Sequence, residues 1–286
     1  MAHDTGRAFK LLCERTFEQV LEIDIPFQPV EMSLIIIGSC NGLLCLSDTE
    51  RFGTTIYLCN PYIRRYRVID HPITGVVGSS NPRNDSITLG FGYYDKTNDY
   101  KIIRVVAPSD EHDDYLDLSS EHHEIAQNTK VEVYSSIINS WKNVEVESFQ
   151  WSMFDVKSEL VVCDSIHWKA FCRDTNKDVL VILAFHLGNE TFQQIKLPNY
   201  DVDEEDWLEY EYGVDSSWTK TLTITVDPGI FRPLVFTRDD EMIFADADQD
   251  LVVCHFDSST AKIVRVEEKG YLNFATYVDS LVLLEG

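Results

Sequence analysis

Apolar residues come along this chain in short runs closed by turn-forming residues, not at helical spacing. From residue 34 onward the runs are "LIIIGS", "GLLCLSD", "TTIYLCNP", "TLGFGYY", "YKIIRVV", "KVEVYSS", "SELVVCDS", "IHWKAFCR", "DVLVILAFHL", "QQIKLP", "KTLTITV", "LVFTR", "EMIFAD", "LVVCHFD", "IVRVEE" and "SLVLLE". Each is bounded by Gly, Asn, Asp, Ser or Pro, and so predicts a short strand. Many short strands with frequent turns predict an all-β protein. The exception lies at the start. Residues 9–24, "FKLLCERTFEQVLEID", are the best helical stretch, although their apolar spacing is irregular, and they predict a short N-terminal helix or loop-helix lead-in.

The strands fall into a degenerate repeat. A strand ends in a polar turn, and a large residue opens the next: Tyr66, Trp141, Phe192, Trp218 and, near the end, Ile263. Strand, turn, strand, with a large residue plugged between neighbouring sheets, is the outer hairpin of a propeller blade, which takes about 40–50 residues. Trp141 and Trp218 are therefore expected as core plugs, not as aromatics that stack on a ligand. The openers are 75, 51, 26 and 45 residues apart. The 75-residue interval fits a blade plus a long connection. The 26-residue interval, through "DVDEEDWLEYEYGVDSSW", is too short for four strands and predicts one incomplete blade.

Charge adds a partner class. The chain carries 48 acids against 24 bases, a net charge of −24 over 286 residues. Such a chain repels nucleic acid and anionic membrane. It attracts a basic partner, or the acidity serves only solubility. No apolar run is long enough to span a bilayer, and the first twenty residues lack the apolar core of a secretory signal. Seven cysteines without a regular framework read as reduced thiols, hence the cytosol or nucleus.

The acids concentrate in two segments, 108–124 ("PSDEHDDYLDLSSEHHE") and 201–211 ("DVDEEDWLEYE"), with seven acids each. Both are too polar for a core and are expected as exposed loops that form a binding surface. Its candidate residues are Asp110, Glu111, Asp113, Asp114, Tyr115 and Asp117 in the first, and Asp203, Glu204, Glu205, Asp206 and Trp207 in the second. Tyr115 and Trp207 are the candidate apolar anchors. His112, His122 and His123 beside Asp113 and Asp114 could hold a metal, but a solvated loop is the preferred reading. The basic cluster Arg64, Arg65 and Arg67 is read as a solvated hairpin.

Enzyme chemistry finds little support. "GSCNG" only loosely matches a nucleophile elbow, because Cys40 stands at its centre and a second strand follows. "LGFGYY" has Gly90 and Gly92 but neither a third glycine nor a lysine, so it is no phosphate loop. Cys40, Cys45, Cys59, Cys163, Cys172 and Cys254 lack paired zinc spacing. No catalytic residue, metal or cofactor is expected.

Six stretches in order carry a family resemblance: "GSCNGLLCLSD", "YLCNPYIRRYRVI", "LGFGYYDKTNDYKIIRVV", "VEVYSSIINSWKNV", "HLGNETFQQIKLP" and "YGVDSSWTKTLTI". Together they resemble the F-box-associated domain of plant F-box proteins, with the S-locus F-box group nearest, over roughly residues 10–286. The resemblance implies a kelch-like β-propeller over 34–286, preceded by a lead-in, 1–33, that follows a missing F-box. It implies structural roles for Asn41, Gly42, Asn60, Pro61, Trp141, Phe192 and Trp218. Asn41-Gly42 becomes a tight turn with positive φ, Leu43, Leu44 and Leu46 enter the core, and Cys40 and Cys45 act as small buried hydrophobes.

The resemblance also implies a function. Such a domain captures the substrate of an SCF-type ubiquitin ligase, while an F-box docks on a Skp-type adaptor and cullin. In the S-locus group that substrate is a basic stylar ribonuclease recognised in self-incompatibility. The alternatives are a receptor domain for another target, such as a defence or hormone regulator, or a truncated or decoy allele, because the F-box is absent and the "LPNYD" and "YGVDSSWTK" regions lie unusually close.

Overall fold

Strand pairing accounts for every regular element among the described residues of the computed structural model. It describes residues 8–12, 19–25, 34–48, 55–70, 86–107, 129–146, 151–153, 160–174, 177–197, 206–209, 219–223, 232–236, 241–245, 248, 250–255, 261–264, 275, 277, 278 and 280–282. The expected N-terminal helix is instead a hairpin, β1 (Ala8–Leu12) with β2 (Gln19–Asp24). The reason lies in the local pattern. Leu21, Ile23 and Ile25 alternate with Glu22 and Asp24, a period of two. The register sets Phe9 opposite Ile23, Leu11 opposite Leu21 and Lys10 opposite Glu22.

Four larger antiparallel sheets follow, arranged as the blades of a propeller. Blade 1 is β3 (Leu34–Cys40), β4 (Leu43–Asp48), β5 (Thr55–Asn60) and β6 (Arg65–Asp70). Blade 2 is β7 (Ser86–Tyr94), β8 (Asp99–Ala107), β9 (Lys130–Ser135) and β10 (Ser140–Val144). Blade 3 has an interrupted first strand: β11 (Trp151–Met153) and β12 (Leu160–Val162) both pair with β13 (Ser165–Asp174), followed by β14 (Lys177–His186) and β15 (Thr191–Lys196). The short interval contributes only β16 (Asp206–Glu209) and β17 (Thr219–Thr223) among the described residues. Blade 4 is β18 (Arg232–Phe236), β19 (Glu241–Ala245), β20 (Leu251–His255) and β21 (Ala261–Val264).

Continuous apolar runs form the middle strands because both their faces are covered. Every residue of β4 and of β5 is buried. One face of blade 1 meets blade 2 through Ile37, Leu43, Cys45, Ile56, Leu58 and Ile69, packed with Phe91, Ile102 and Tyr134. The opposite face of blade 2 meets blade 3 through Ile103, Val105, Val131 and Val133, packed with Ile166, Trp168, Leu183 and Phe185. Outer strands are partly exposed instead, as in β15, where Thr191, Gln193 and Lys196 face water.

The last described residues return to the first blade. Tyr277 packs on the face of blade 1 that holds Leu44, Leu46, Tyr57 and Cys59, together with Ile25, and Val282 joins the core between blades 1 and 2. The run "SLVLLE", read as a strand from its sequence, has no strand at Ser280–Val282. Its carbonyls bond to a side chain instead, as described below.

Candidate partner-binding surfaces

The two ends of the stacked blades differ in construction. At one end the strands of blades 1–3 are joined by turns of two or four residues. Asn41 (φ 47°) and Gly42 (φ 78°) form the first, both left-handed as a type I′ turn requires. Cys163 (φ 49°) and Asp164 (φ 61°) form its counterpart in blade 3. Four-residue turns span 61–64, 95–98, 136–139 and 187–190, and each ends on a left-handed residue: Arg64, Asn98, Asn139 and Glu190.

Three of these turns are capped by the side chain that precedes them. Asn60 Oδ1 accepts from the N–H groups of Tyr62 and Ile63, at 3.1 and 3.4 Å. Ser135 Oγ accepts from Ile138 N, and His186 Nδ1 accepts from Gly188 N and Asn189 N. Asn, Ser and His thus do one job at one repeat position: each offers an acceptor to a turn N–H that no strand can satisfy.

Polar bridges between blades gather at this same end. Arg67 Nη1 donates to Tyr134 Oη and to the Ser136 carbonyl, both at 3.4 Å, so one member of the expected solvated cluster ties blade 1 to blade 2. Glu190 takes Lys101 on one carboxylate oxygen and Lys142 on the other, each at 2.7 Å. Lys101 Nζ also donates to the Leu187 carbonyl at 2.6 Å. Burial disfavours the Glu190 charge, but the hydrogen bonds and charges of the two lysines outweigh it and hold the carboxyl below its ordinary range. Asn60 Nδ2 donates to the Ser280 and Val282 carbonyls at 3.0 Å each, which fastens the C-terminal segment to blade 1.

The other end carries the long connections. Segment 71–85 links β6 to β7, 108–128 links β8 to β9, and 198–205 links β15 to β16. The turn-side contacts of Lys96 with Asp164 and of Lys101 with Glu190 set blades 2 and 3 in the same sense. The acidic segments 108–124 and 201–205 therefore leave from the same end of two blades packed face to face.

Asp110, Glu111, Asp113, Asp114, Tyr115, Asp117, Asp203, Glu204 and Glu205 lie outside the described residues, as do His112, His122, His123 and Trp218. Asp206 and Trp207 belong to β16, where they pair with Thr223 and Leu222, so part of the expected loop is a strand. Trp207 and Leu208, between Asp206 and Glu209, find a partner in β17, and the pairing takes up backbone groups along one edge of β16.

The expected structural residues divide. Asn60 and Pro61 are buried, as are Gly42, Leu43, Leu44 and Leu46. Cys45 is fully buried and desolvation pushes its thiol far up; Cys40 is half-buried and shifted the same way. Trp141 plugs the blade 1–2 core with its ring 5.5 Å from that of Tyr134. Phe192 plugs the blade 2–3 core beside Phe185, at 4.9 Å between ring centroids. Tyr66 and Ile263 are not plugs, being 43% and 62% exposed. Like Trp141 and Phe192, each sits on the outermost strand of its sheet, so strand position by itself does not make a plug. On blade 1 the covering residues Ile25 and Tyr277 pack over Leu44, Leu46, Tyr57 and Cys59 on β4 and β5.

Sequence reasoning missed Trp168, Lys101, Glu190 and the buried pair Arg104–Glu132. Trp168 lies against β7, its Nε1 donating to the Leu89 carbonyl at 3.1 Å. A Cβ at Gly90 would stand 2.4 Å from Trp168 Cζ2, so the Gly-x-Gly of "LGFGYY" is the space that admits this indole. Two glycines in an inner strand were the available signal. Arg104 and Glu132 stand opposite each other in the register, 2.6 Å apart, buried on the face toward blade 1. Among the described residues no three His, Cys, Asp or Glu side chains gather as a metal site, and no helix is long and apolar enough to cross a membrane.

Residues 12–210 match the family model described as the F-box associated beta propeller domain. F-box protein CPR1 of Arabidopsis thaliana is 25% identical over 268 residues, covering 80% of this chain and 62% of that protein. The Arabidopsis F-box/kelch-repeat protein At3g23880 is 20% identical over 228 residues, covering 70% of this chain and 55% of its own length. The chain thus spans little more than half of these curated relatives. Among solved structures, TolB from Acinetobacter baumannii aligns over 92% of this chain and 66% of its own, at 10% identity and a TM-score of 0.42.

Proposed function

Because the chain belongs to the F-box-associated β-propeller family, we propose that it is a protein-capturing domain, the part of an F-box protein that presents a substrate to an SCF-type ubiquitin ligase. The domain itself is non-catalytic in this reading; ubiquitin transfer falls to the ligase, reached through a Skp-type adaptor and cullin by way of an F-box. The six described cysteines are free thiols, which fits a reducing compartment, the cytosol or nucleus.

One observation carries the choice of partner. The topology sends both acidic segments out from the same end of blades 2 and 3, in a chain of net charge −24. Carboxylates gathered at one end steer a basic protein and reject acidic ones, mainly through the association rate. Asp110, Glu111, Asp113, Asp114 and Asp117 act with Asp203, Glu204, Glu205 and Asp206, and Tyr115 and Trp207 anchor the contact. A basic ribonuclease of the S-locus type is the finer form of this proposal.

The test is capture of a panel of basic stylar ribonucleases, with an acidic protein as control, at low and at physiological salt. Capture that weakens about tenfold or more with salt supports the reading. So does loss of capture on charge reversal in 110–117 and 203–206. Unchanged binding after reversal sinks the site. Failure of the folded chain to hold any ribonuclease sinks the ribonuclease and leaves the related reading, a receptor for another target.

A further inference from the structure

The turn end of blades 1 and 2 carries a surface opposite in character to the acidic segments. Tyr62, Ile137 and Ile138 occupy the tips of two turns and are 54%, 60% and 68% exposed. The turns are neighbours, since Arg67, three residues beyond the first, donates to the carbonyl of Ser136, the residue before Ile137. Arg64 and Arg65 are exposed beside Tyr62. From 61 to 69 and from 135 to 143 every charged residue is basic: Arg64, Arg65, Arg67 and Lys142, the last already paired with Glu190. In so acidic a chain this is a basic, apolar corner.

Folding does not demand large apolar side chains at these tips. The matching positions of the blade 3 turn hold Gly188 and Asn189. The turn that bears the isoleucines is nonetheless held firmly. Asp99 accepts from Ser135 Oγ at 2.7 Å, from Ser136 Oγ at 3.1 Å and from Ile137 N at 3.3 Å. Ser136 and Tyr100 exchange further bonds. Exposed aliphatic groups on a fixed backbone bind with little loss of chain entropy. Guanidinium groups beside them match carboxylates.

We infer that this corner docks an acidic, apolar-anchored segment of another protein. Tyr62, Ile137 and Ile138 take its apolar side chains, and Arg64 and Arg65 take its carboxylates. The inference rests on the reading of the chain as a protein-capturing domain, but not on its acidic-segment site, which lies at the opposite end. The occupant is a separate chain. The protein's own acidic run departs from Ala107, eight residues up β8 from Asp99 and about 26 Å from this turn at strand spacing, so to compete it would have to fold back along the height of the blade.

Short random peptides displayed on phage are selected on the whole chain, then screened on two variants. One is Ile137→Ser with Ile138→Ser; the other is Arg64→Asn with Arg65→Glu, Asn being suited to the left-handed backbone at 64. All changes are at exposed positions, in the turns or, for Arg65, at the first residue of β6, and melting temperatures confirm folding. The expected peptides bind the parent, are net acidic with an aliphatic or aromatic residue, and weaken about tenfold or more on each variant. A chain charge-reversed over 110–117 still binds them, which separates this corner from the acidic site. Recovery of no peptide that depends on both turns, or of dependent peptides that are net basic or neutral, overturns the inference.

Discussion

Asn60 joins two functions that a single atom exchange separates. Its Oδ1 caps the 61–64 turn, and its Nδ2 holds the C-terminal segment through the Ser280 and Val282 carbonyls. Asn60→Asp keeps the acceptor and turns the donor into an oxygen facing two carbonyls, in a residue that is fully buried. Two lost hydrogen bonds cost about 1–3 kcal/mol net. A buried carboxylate left without a counter-charge raises the total to about 3–5 kcal/mol. Asn60→Ala loses the same two bonds and the turn cap but buries no charge, for about 2–3 kcal/mol. At neutral pH the aspartate variant should therefore be the less stable of the two.

The order reverses in acid. Burial against carbonyls raises the folded pKa of the new carboxyl above its unfolded value of about 3.9. The charge penalty is absent below about 3.9, grows as pH rises through that value and is complete above the folded pKa. Once protonated, the new carboxyl can also donate one bond. Urea midpoints followed by tryptophan fluorescence at several pH values read this out, and amide exchange at Tyr277–Val282 reports the release of that segment. If the two variants share one midpoint at every pH, or if Asn60→Asp matches the parent, Asn60 does not fasten the C-terminal segment as described.

Three further perturbations follow from the packing. Gly90→Ala sets a Cβ 2.4 Å from Trp168 and 2.9 Å from Ile166, and should cost about 1–3 kcal/mol with a changed near-ultraviolet dichroism of the indole; an unaltered spectrum and midpoint would contradict this account of the glycine. Glu190→Gln should cost about 1–3 kcal/mol at neutral pH. Because the native carboxyl is held low, its contribution exists above the unfolded pKa of about 4.3 and fades as pH falls through the folded value. The variant and parent denaturation curves should accordingly converge in acid, and a constant gap at all pH would reject the clamp. Glu132→Gln should cost about 3–5 kcal/mol by removing the carboxylate that the buried Arg104 shares with Lys130, whereas Arg104→Met with Glu132→Leu, which takes both charges out of the interior, should recover most of that; equal losses in both would show that the pair is not the relevant interaction.

Local patterning determined much of this protein. Continuous apolar runs named most of the strands, since a strand covered on both faces has no polar side to show. Asn41-Gly42 named its own turn, because only certain residues accept positive φ cheaply. The same logic overlooked the alternation at Leu21–Ile25, which a hairpin partner turned into a strand. Contacts between sheets belonged to the tertiary structure alone. The sequence separation between Gly90 and Trp168, between Lys101 and Glu190, or between Asn60 and Ser280 leaves no periodic trace, because each pair meets only once neighbouring blades pack and the C-terminal segment returns to the first. Packing likewise decided which openers became plugs: all four stand on the outermost strand of their sheet, yet Trp141 and Phe192 pack into a core between blades, whereas Tyr66 and Ile263 stay exposed. The character of the two ends came from both sources, charge and turn chemistry being written in the chain, and their separation arising from strand direction, which sends the acidic segments one way and the arginine-bearing turns the other.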